Sequence, residues 1–171
     1  MRIRFATDCL VFKMLRQEDI SFMLTLTGNP DVVHYLPGMI TDEETMRGWL
    51  SSLQMEDNEY RICLRVTDEP IGECSLTLRE DGTSCEIGYM LLPQYWNQGF
   101  GTEVARWLMD MAKSYDVLRI TAMTHEQNTA SVRILEKLGF RKANTGWMLY
   151  EAADGLHDSR MDSYVYEVKK E

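Results

Sequence analysis

Residues 86–103 read EIGYMLLPQYWNQGFGTE, and this stretch decides the fold. Its first half has the apolar character of a strand, and its second half is a turn with two glycines, Gly99 and Gly101, that opens a helix. Glycines let backbone N–H groups close on an anion, and the positive end of the helix macrodipole adds to the attraction. The turn therefore predicts a binding site for a phosphorylated cofactor.

Downstream of this turn, the pattern predicts a strand–helix–strand crossover. Residues 118–123, LRITAM, form the second strand, and residues 128–140, NTASVRILEKLGF, begin with a further helix. Gly139 stands where a helix C-terminal cap belongs, and Phe140 begins a new strand. A last strand is predicted at residues 163–168. Two strands joined by a helix in this way are expected to run parallel.

Upstream of the turn, two helices precede an antiparallel meander. A first strand is predicted at residues 10–15 and a short helix at 19–26, which the Asn29-Pro30 pair breaks. The second helix begins at a capping-box signature formed by Thr41 and Glu44. Alternating apolar residues then predict three strands, with a hairpin turn at Asp81-Gly82, over residues 60–67, 71–78 and 84–92. This order predicts a single α+β domain over residues 1–171, with helices packed on a mixed sheet.

Composition narrows the possible functions. The chain has 171 residues, of which 44% are hydrophobic and 26% charged, enough to bury one core. Its net charge of −9 argues against nucleic-acid binding, because phosphate backbones require a basic surface. Cationic acceptors are compatible with this charge.

The cysteines and the N-terminal segment bear on metals and location. The four cysteines lack the paired spacing of a zinc site, so no metal is expected. Cys63, Cys74 and Cys85 fall in predicted strands, where the expected role is that of a small buried hydrophobe. The N-terminus has no apolar signal-peptide core and no membrane span is evident, so the expected location is the cytoplasm, with no membrane partner.

These motifs resemble the GNAT superfamily of N-acetyltransferases. Within it, the chain is most similar to the branch containing the ribosomal-protein N-terminal acetyltransferases, through residues 86–103, NTASVRILEKLGF, and TDCLVFKMLRQEDI at 7–20. The resemblance implies a mixed, mostly antiparallel sheet of about seven strands with helices on both faces. It also implies a V-shaped splay between the central parallel strands, with acetyl-CoA in the opening.

The resemblance assigns cofactor-binding roles by position. The strand end at Met90, Leu91 and Leu92 is expected to offer backbone groups to the pantetheine amides. Asn128 is expected to reach the pantetheine arm, and Arg133 the 3′-phosphate, although exposed helix charges often bind nothing. The pyrophosphate is expected on the glycine turn, formed by Gln98, Gly99, Phe100, Gly101 and Thr102.

Two departures from the family pattern affect the chemistry. Many relatives have Arg or Gln three positions before the first loop glycine, whereas this chain has Trp96, so backbone amides must do most of the phosphate binding. Many relatives also carry a tyrosine seven residues after the asparagine, where it protonates the departing thiolate, and this chain has Leu135. Ser131 is the substitute we favour; satisfying local backbone groups is its alternative role.

Two further residues are candidates for proton transfer. Glu86 shares a strand face with Gly88 and Met90, so it is the best candidate for a general base, with a plain ion pair as the alternative. Tyr150 stands where some members of the branch have a catalytic carboxylate, which its hydroxyl could replace, but packing in the core is the favoured explanation. A free α-amine with a pKa near 8 costs only about 1 kcal/mol to deprotonate at pH 7, against roughly 4 to 5 for lysine.

The acceptor-facing wall is expected at His34, Tyr35 and Met39, with Trp147 on the opposite side. Aromatic residues at these positions also fit hydrophobic packing under a loop, and a solvated or core histidine is the favoured interpretation of both His34 and His125. Specificity for the acceptor is expected to reside in these residues.

The function predicted from the sequence is that of a cytoplasmic acetyl-CoA-dependent N-acetyltransferase, monomeric or homodimeric. It transfers acetyl directly to a primary amine, first a protein α-amine, with a small cationic amine as the alternative acceptor. A non-catalytic acyl-CoA-binding regulatory domain is the rival of another class. A dinucleotide-binding module is disfavoured because the turn lacks the three-glycine fingerprint and follows a meander.

Overall fold

Seven strands form one sheet in the order β1–β2–β3–β4–β5–β7–β6. The computed structural model describes residues 5–36, 38–54, 57–152 and 155–169, and of residues 149–152 and 155–157 it describes the backbone alone. The strands are β1 Leu10–Met14, β2 Glu59–Leu64, β3 Pro70–Leu78, β4 Ser84–Leu91, β5 Arg119–His125, β6 Arg141–Ala152 and β7 Gly155–Glu167. The α-helices are α1 Ile20–Thr27, α2 Pro30–Val33, α3 Glu43–Ser52, α4 Phe100–Ser114 and α5 Thr129–Lys137.

The sheet opens between β4 and β5. These two strands are parallel and pair from Ser84 with Arg119 to Glu86 with Thr121, whereas every other neighbouring pair is antiparallel. Beyond Glu86, β4 continues to pair with β3 while β5 continues to pair with β7. The predicted α+β fold, with its mostly antiparallel sheet and its V-shaped splay, is confirmed.

Helices cover both faces of the sheet, because successive strand residues point to opposite faces. On one face, Ile87 and Leu91 of β4 pack in a core with α4 and α5, where Trp107 stacks on Phe12 at 3.7 Å between ring centroids. On the other face, Met90 packs beside α1 and α3. Each fully buried large side chain in these cores contributes roughly 1.5–3 kcal/mol relative to exposure.

Two local predictions were wrong and one was incomplete. Helix α3 is capped by Asp42 and not by Thr41: the Asp42 carboxylate accepts from the N–H of Thr45 at 2.8 Å, because the helix starts at Glu43, one residue later than a cap at Thr41 requires. Helix α1 ends before Asn29 as predicted, but Asn29 also caps α2, with Pro30 at the first helical position. Strand β7 begins at Gly155, eight residues before the predicted start, because β6 and β7 pair as one long hairpin whose polar sequence gives little strand signal.

Within the described residues, no helix combines the length and the apolar character needed to span a membrane.

Candidate active site

The N-terminus of α4 presents unused hydrogen-bond donors. Gly99 occupies the N-cap position with φ +90°, and no side chain caps the helix. The first intrahelical bond runs from the N–H of Glu103 to the carbonyl of Gly99 at 3.1 Å. Among the described residues, the N–H groups of Phe100, Gly101 and Thr102 have no acceptor. Helices α2, α3 and α5, in contrast, are each capped by a side chain. These free donors suit an anion at a helix N-terminus.

The two glycines of the turn serve different purposes. Gly99 needs its left-handed backbone conformation, and a Cβ there would meet no atom within 4 Å. Gly101 has ordinary helical geometry, but a Cβ there would lie 2.9 Å from Cδ1 of Ile134 and 3.7 Å from Cε2 of Tyr89. Gly101 is therefore required for the close approach of α4 to α5 and β4, and only its N–H faces the expected pyrophosphate.

Side chains of the loop before α4 stabilise the loop itself. The indole N–H of Trp96 donates to the carbonyl of Leu91 at 2.7 Å, which ties the loop to the end of β4. The side-chain amide of Gln98 donates to the carbonyl of Gln94 at 2.7 Å. Trp96 thus makes a structural contact where many relatives have a charged or amide residue, so the expected phosphate contact of the backbone amides stays a prediction.

The register of β4 moves the expected pantetheine contacts by one residue. The N–H of Leu92 donates to the carbonyl of Ile71 at 2.9 Å, so the pair of Leu92 with Ile71 is hydrogen-bonded. Hydrogen-bonded pairs alternate along an antiparallel ladder, which directs the polar backbone groups of Met90 to β3 as well. Tyr89 and Leu91 consequently point their backbone groups at the opening, where Trp96 already uses the Leu91 carbonyl.

Ser131 and Asn128 lie in the first turn of α5, beside β4. The side-chain oxygen of Asn128 accepts from the N–H of Ser131 at 3.2 Å, so this asparagine is a helix cap. The hydroxyl of Tyr89 is buried next to Ser131 and, among the described residues, has no hydrogen-bond partner. Burial raises the pKa of Tyr89 to about 12, while the nearby Ser131 hydroxyl acts in the opposite direction. Leu135 is buried in the core at 1% exposure.

Tyr89 was missed by the sequence reasoning, which treated it as part of an apolar strand. A tyrosine at a core-facing strand position is a usable signal, because a buried O–H requires a partner. The nearest such partner is the Ser131 hydroxyl, which opposes the rise that burial causes in the pKa of Tyr89, although among the described residues the two do not meet ordinary hydrogen-bond geometry.

A cavity of about 300 Å³ lies on the other face of the sheet, between β2–β4 and the helices α1 and α3. Its walls are mostly apolar, and two carboxylic acids, Glu59 and Glu73, stand among them. The lining residues are Met23, Thr27, Gly38, Met39, Ile40, Met46, Trp49, Glu59, Glu73, Ser75 and Met90.

The pKa values of the two carboxyl groups of the cavity are both raised. Burial, and then the charge of Glu59, raise the pKa of Glu73 well above its ordinary range, and burial also raises the pKa of Glu59. Neither residue was singled out from the sequence. Each shares its strand with other polar residues, Arg61 in β2 and Ser75 in β3, and only the register of β2 against β3 brings the two glutamates together.

The predicted catalytic residues are separated in the structure. Glu86 forms an ion pair with Arg79, stands at the last paired position before the opening, and does not line the cavity. Ser131 lies across the sheet plane on the α5 side. Tyr150 belongs to β6, but its side chain lies outside what the structure describes.

The predicted acceptor residues also fall into separate groups. Met39 lines the cavity. Tyr35 bridges between His34 and His125, with ring centroids 4.5 and 5.3 Å away, and so connects the segment after α2 to the end of β5. Trp147 is 68% exposed on β6. Arg133 is exposed on α5, where its predicted phosphate contact stays a prediction.

Comparison with known proteins decides the family. The family model described as "Acetyltransferase (GNAT) domain" matches residues 10–141, which include both sequence motifs. The chain belongs to the GNAT acetyltransferase family. The sequence-based assignment to an acetyltransferase enzyme is therefore confirmed, and acetyl-CoA is the cosubstrate general to this family.

Curated relatives are similar over most of their length. The chain is 30% identical to "Uncharacterized N-acetyltransferase p20" of Bacillus licheniformis over 173 residues, covering 96% of this chain and 94% of that protein. It is 31% identical to "Uncharacterized N-acetyltransferase YoaA" of Bacillus subtilis over 144 residues, covering 80% and 81%.

Solved structures share the fold at lower identity. A GNAT-family acetyltransferase from Bacillus anthracis superposes with a TM-score of 0.81 at 21% identity, covering 95% of this chain and 97% of that one. The ribosomal-protein-S5-alanine acetyltransferase from Vibrio fischeri superposes with a TM-score of 0.77 at 17% identity, covering 97% of each chain.

Proposed function

We propose that this GNAT protein transfers the acetyl group of acetyl-CoA directly to a primary amine within a ternary complex. The observation that carries the proposal is the uncapped N-terminus of α4, with its free N–H groups at 100–102, beside the opening between β4 and β5. Donors at a helix N-terminus suit a pyrophosphate, and the free strand edge suits the amides of pantetheine.

Residues on both sides of the opening have defined roles in this proposal. Acetyl-CoA supplies the thioester. Tyr89 and Leu91 orient it through backbone groups, and Ser131, with the buried Tyr89 hydroxyl beside it, donates a hydrogen bond to the sulfur as charge develops there. The pKa of Tyr89, about 12, keeps its proton in place at neutral pH. Glu86 remains the proposed base for the amine, in competition with its ion pair to Arg79.

The acceptor belongs to one of two amine classes. A protein α-amine is expected from the sequence resemblance, and the Vibrio fischeri enzyme of similar fold is titled a ribosomal-protein-S5-alanine acetyltransferase. The cavity of about 300 Å³ favours the second class, a small cationic amine, because this volume lies at the lower end of small-molecule sites and its charged groups are acidic. The net charge of −9 supports a cationic acceptor of either class.

Amine-dependent release of coenzyme A tests the proposal. The protein is incubated with acetyl-CoA and either peptides with a free N-terminus or small primary amines; released thiol and acetylated product are measured by absorbance and mass spectrometry. We expect release with at least one class, and a lower kcat for Ser131→Ala. Coenzyme A binding without release for any amine would favour the acyl-CoA-binding regulatory domain.

A further inference from the structure

The cavity beside α1 and α3 contains two carboxyl groups, Glu59 and Glu73, for which the described residues supply no basic partner. Glu73 is only 6% exposed, and the described part of the chain places no basic group and no hydrogen-bond donor of its own fold against it apart from Glu59. Arg61 faces Glu73 in the strand register, but its guanidinium is bound to Asp19, which is also buried. Burying an unpaired carboxylate in an apolar wall destabilises a fold, so a ligand cation is the partner that this arrangement lacks.

The geometry places both carboxyls at one location. Glu59 pairs with Ser75 and Arg61 pairs with Glu73, so Glu59 and Glu73 are diagonal neighbours on one face of adjacent strands. The two side chains interact: burial, and then the charge of Glu59, raise the pKa of Glu73, and burial also raises the pKa of Glu59. A cation bound between the two carboxyl groups would offset the repulsion that opposes ionisation of both, and an ammonium group is such a cation.

The rest of the cavity suits an apolar body attached to that cation. Methionines from α1, α3 and β4 form flexible walls that adapt to irregular shapes, and Trp49 of α3 offers an aromatic ring, a group that attracts ammonium ions. Met90 is shared between the cavity and β4, the strand that borders the opening. A ligand in the cavity therefore lies against the strand on which the thioester is proposed to lie.

We propose that the Glu59–Glu73 pair binds the ammonium group of a small amine acceptor whose apolar part fills the cavity between α1, α3 and the sheet. This inference rests on the proposed function and names its substrate class, a small amine whose ammonium group is bound at the pair while a second, neutral primary amine of the same molecule receives the acetyl group. It assigns the pair a binding role, and the acidic cavity also selects against anionic acceptors.

Binding without acetyl-CoA tests this inference independently of turnover. Calorimetric titration of the protein with phenethylammonium is compared with titration by phenethyl alcohol, which matches the amine in shape but has no charge. We expect the ammonium to bind and the alcohol to bind about tenfold or more weakly, because a hydrogen bond to a charged group contributes about 1.5–3 kcal/mol.

Variants locate the charge. Glu73→Gln and Glu59→Gln each keep the shape of the side chain, and each should reduce the affinity for phenethylammonium about tenfold or more while leaving that for the alcohol unchanged. Glu80→Gln, which removes one charge at an exposed position of the β3–β4 turn, is the matched control and should bind as the parent does. Two isosteric variants guard against loss of folding in either one.

The outcomes separate the inference from the proposed function. Equal binding of ammonium and alcohol, or affinity unchanged by both glutamate substitutions, would overturn the ammonium site even if peptides are acetylated. Charge-dependent binding that both variants abolish, with no amine-dependent thiol release, would uphold the site and defeat the acetyl-transfer proposal.

Discussion

Replacing Gly99 by alanine should expose how the turn at the head of α4 is maintained. Gly99 has φ +90°, and an L-residue in a left-handed conformation is strained by roughly 1–2 kcal/mol. A Cβ at this position meets no atom within 4 Å, so the substitution introduces backbone strain without a steric clash.

The strain can lower either the free energy of unfolding or the free energy of coenzyme A binding. The sum of the two losses should be about the same in either case. If the turn keeps its geometry, the free energy of unfolding of Gly99→Ala falls by about 1–2 kcal/mol and coenzyme A binds as before. If the turn relaxes in the free protein, stability is preserved and the affinity for coenzyme A falls by about 5- to 30-fold, the same free energy expressed in binding. Intermediate behaviour should divide the same total between the two.

Chemical denaturation and calorimetric titration with coenzyme A measure the two losses. The matched control is Gly82→Ala, because Gly82 also has a left-handed φ of +62° and open space around it, but lies in the β3–β4 turn. The control should lose comparable stability and bind coenzyme A normally. The reasoning fails if Gly99→Ala shows no loss in either measurement, or if Gly82→Ala weakens coenzyme A binding to the same degree.

Three further substitutions test the packing and electrostatics. Gly101→Ala should destabilise the protein by less than about 1 kcal/mol, because the contact is with Cδ1 of Ile134, the end of a flexible side chain that can turn away, and adding Ile134→Val should recover that loss in chemical denaturation; a much larger loss, or no recovery, would contradict the packing role. Gly48→Ala, exposed in α3 with nothing within 4 Å, should stabilise by about 1 kcal/mol in thermal melts, and a lower melting temperature would refute this. The pKa of Glu73 is raised in the folded state, so the stability that this residue contributes is present below pH 4.5 and is lost as the pH rises. Glu73→Gln should therefore be more stable than the parent at pH 8, and the difference should shrink towards pH 4. Urea midpoints that differ by the same amount at both pH values would contradict this prediction.

The order of strands and helices was predictable because each element has its own periodic signal. Residues 84–92 alternate in apolar character, and Asn128 with Gly139 mark both ends of a helix. The splay followed from the family resemblance. The sequence did not indicate how far the last hairpin extends, since polar residues at 155–162 pair well with β6 but carry weak strand propensity of their own.

The site was less predictable, because its geometry depends on register and on distant contacts. The backbone groups that point at the opening belong to Tyr89 and Leu91, whereas the sequence predicted residues 90–92. The hydrogen bond from Leu92 to Ile71 decides which residues of β4 face β3, and the sequence does not reveal it. Glu59 and Glu73 are separated by a hairpin, and no pattern within either strand reveals that they meet. Gly101 looked like a phosphate-binding glycine, yet its missing side chain is explained by Ile134 on another helix.

Strands β4 and β5 pair over only three residues each, so the relative position of the two halves of the sheet would set how the proposed reactants align. The residues that line the cavity lie between positions 23 and 90, in the part of the chain that ends with β4, whereas Asn128 and Ser131 belong to the helix that follows β5. Fewer residue pairs join β4 to β5 than join any other two neighbouring strands. The distance between the two halves of the sheet therefore depends on what bridges the opening between these strands. A ligand that binds to both halves of the sheet holds them at a fixed distance. When that ligand leaves, the second reactant is expected to bind more weakly.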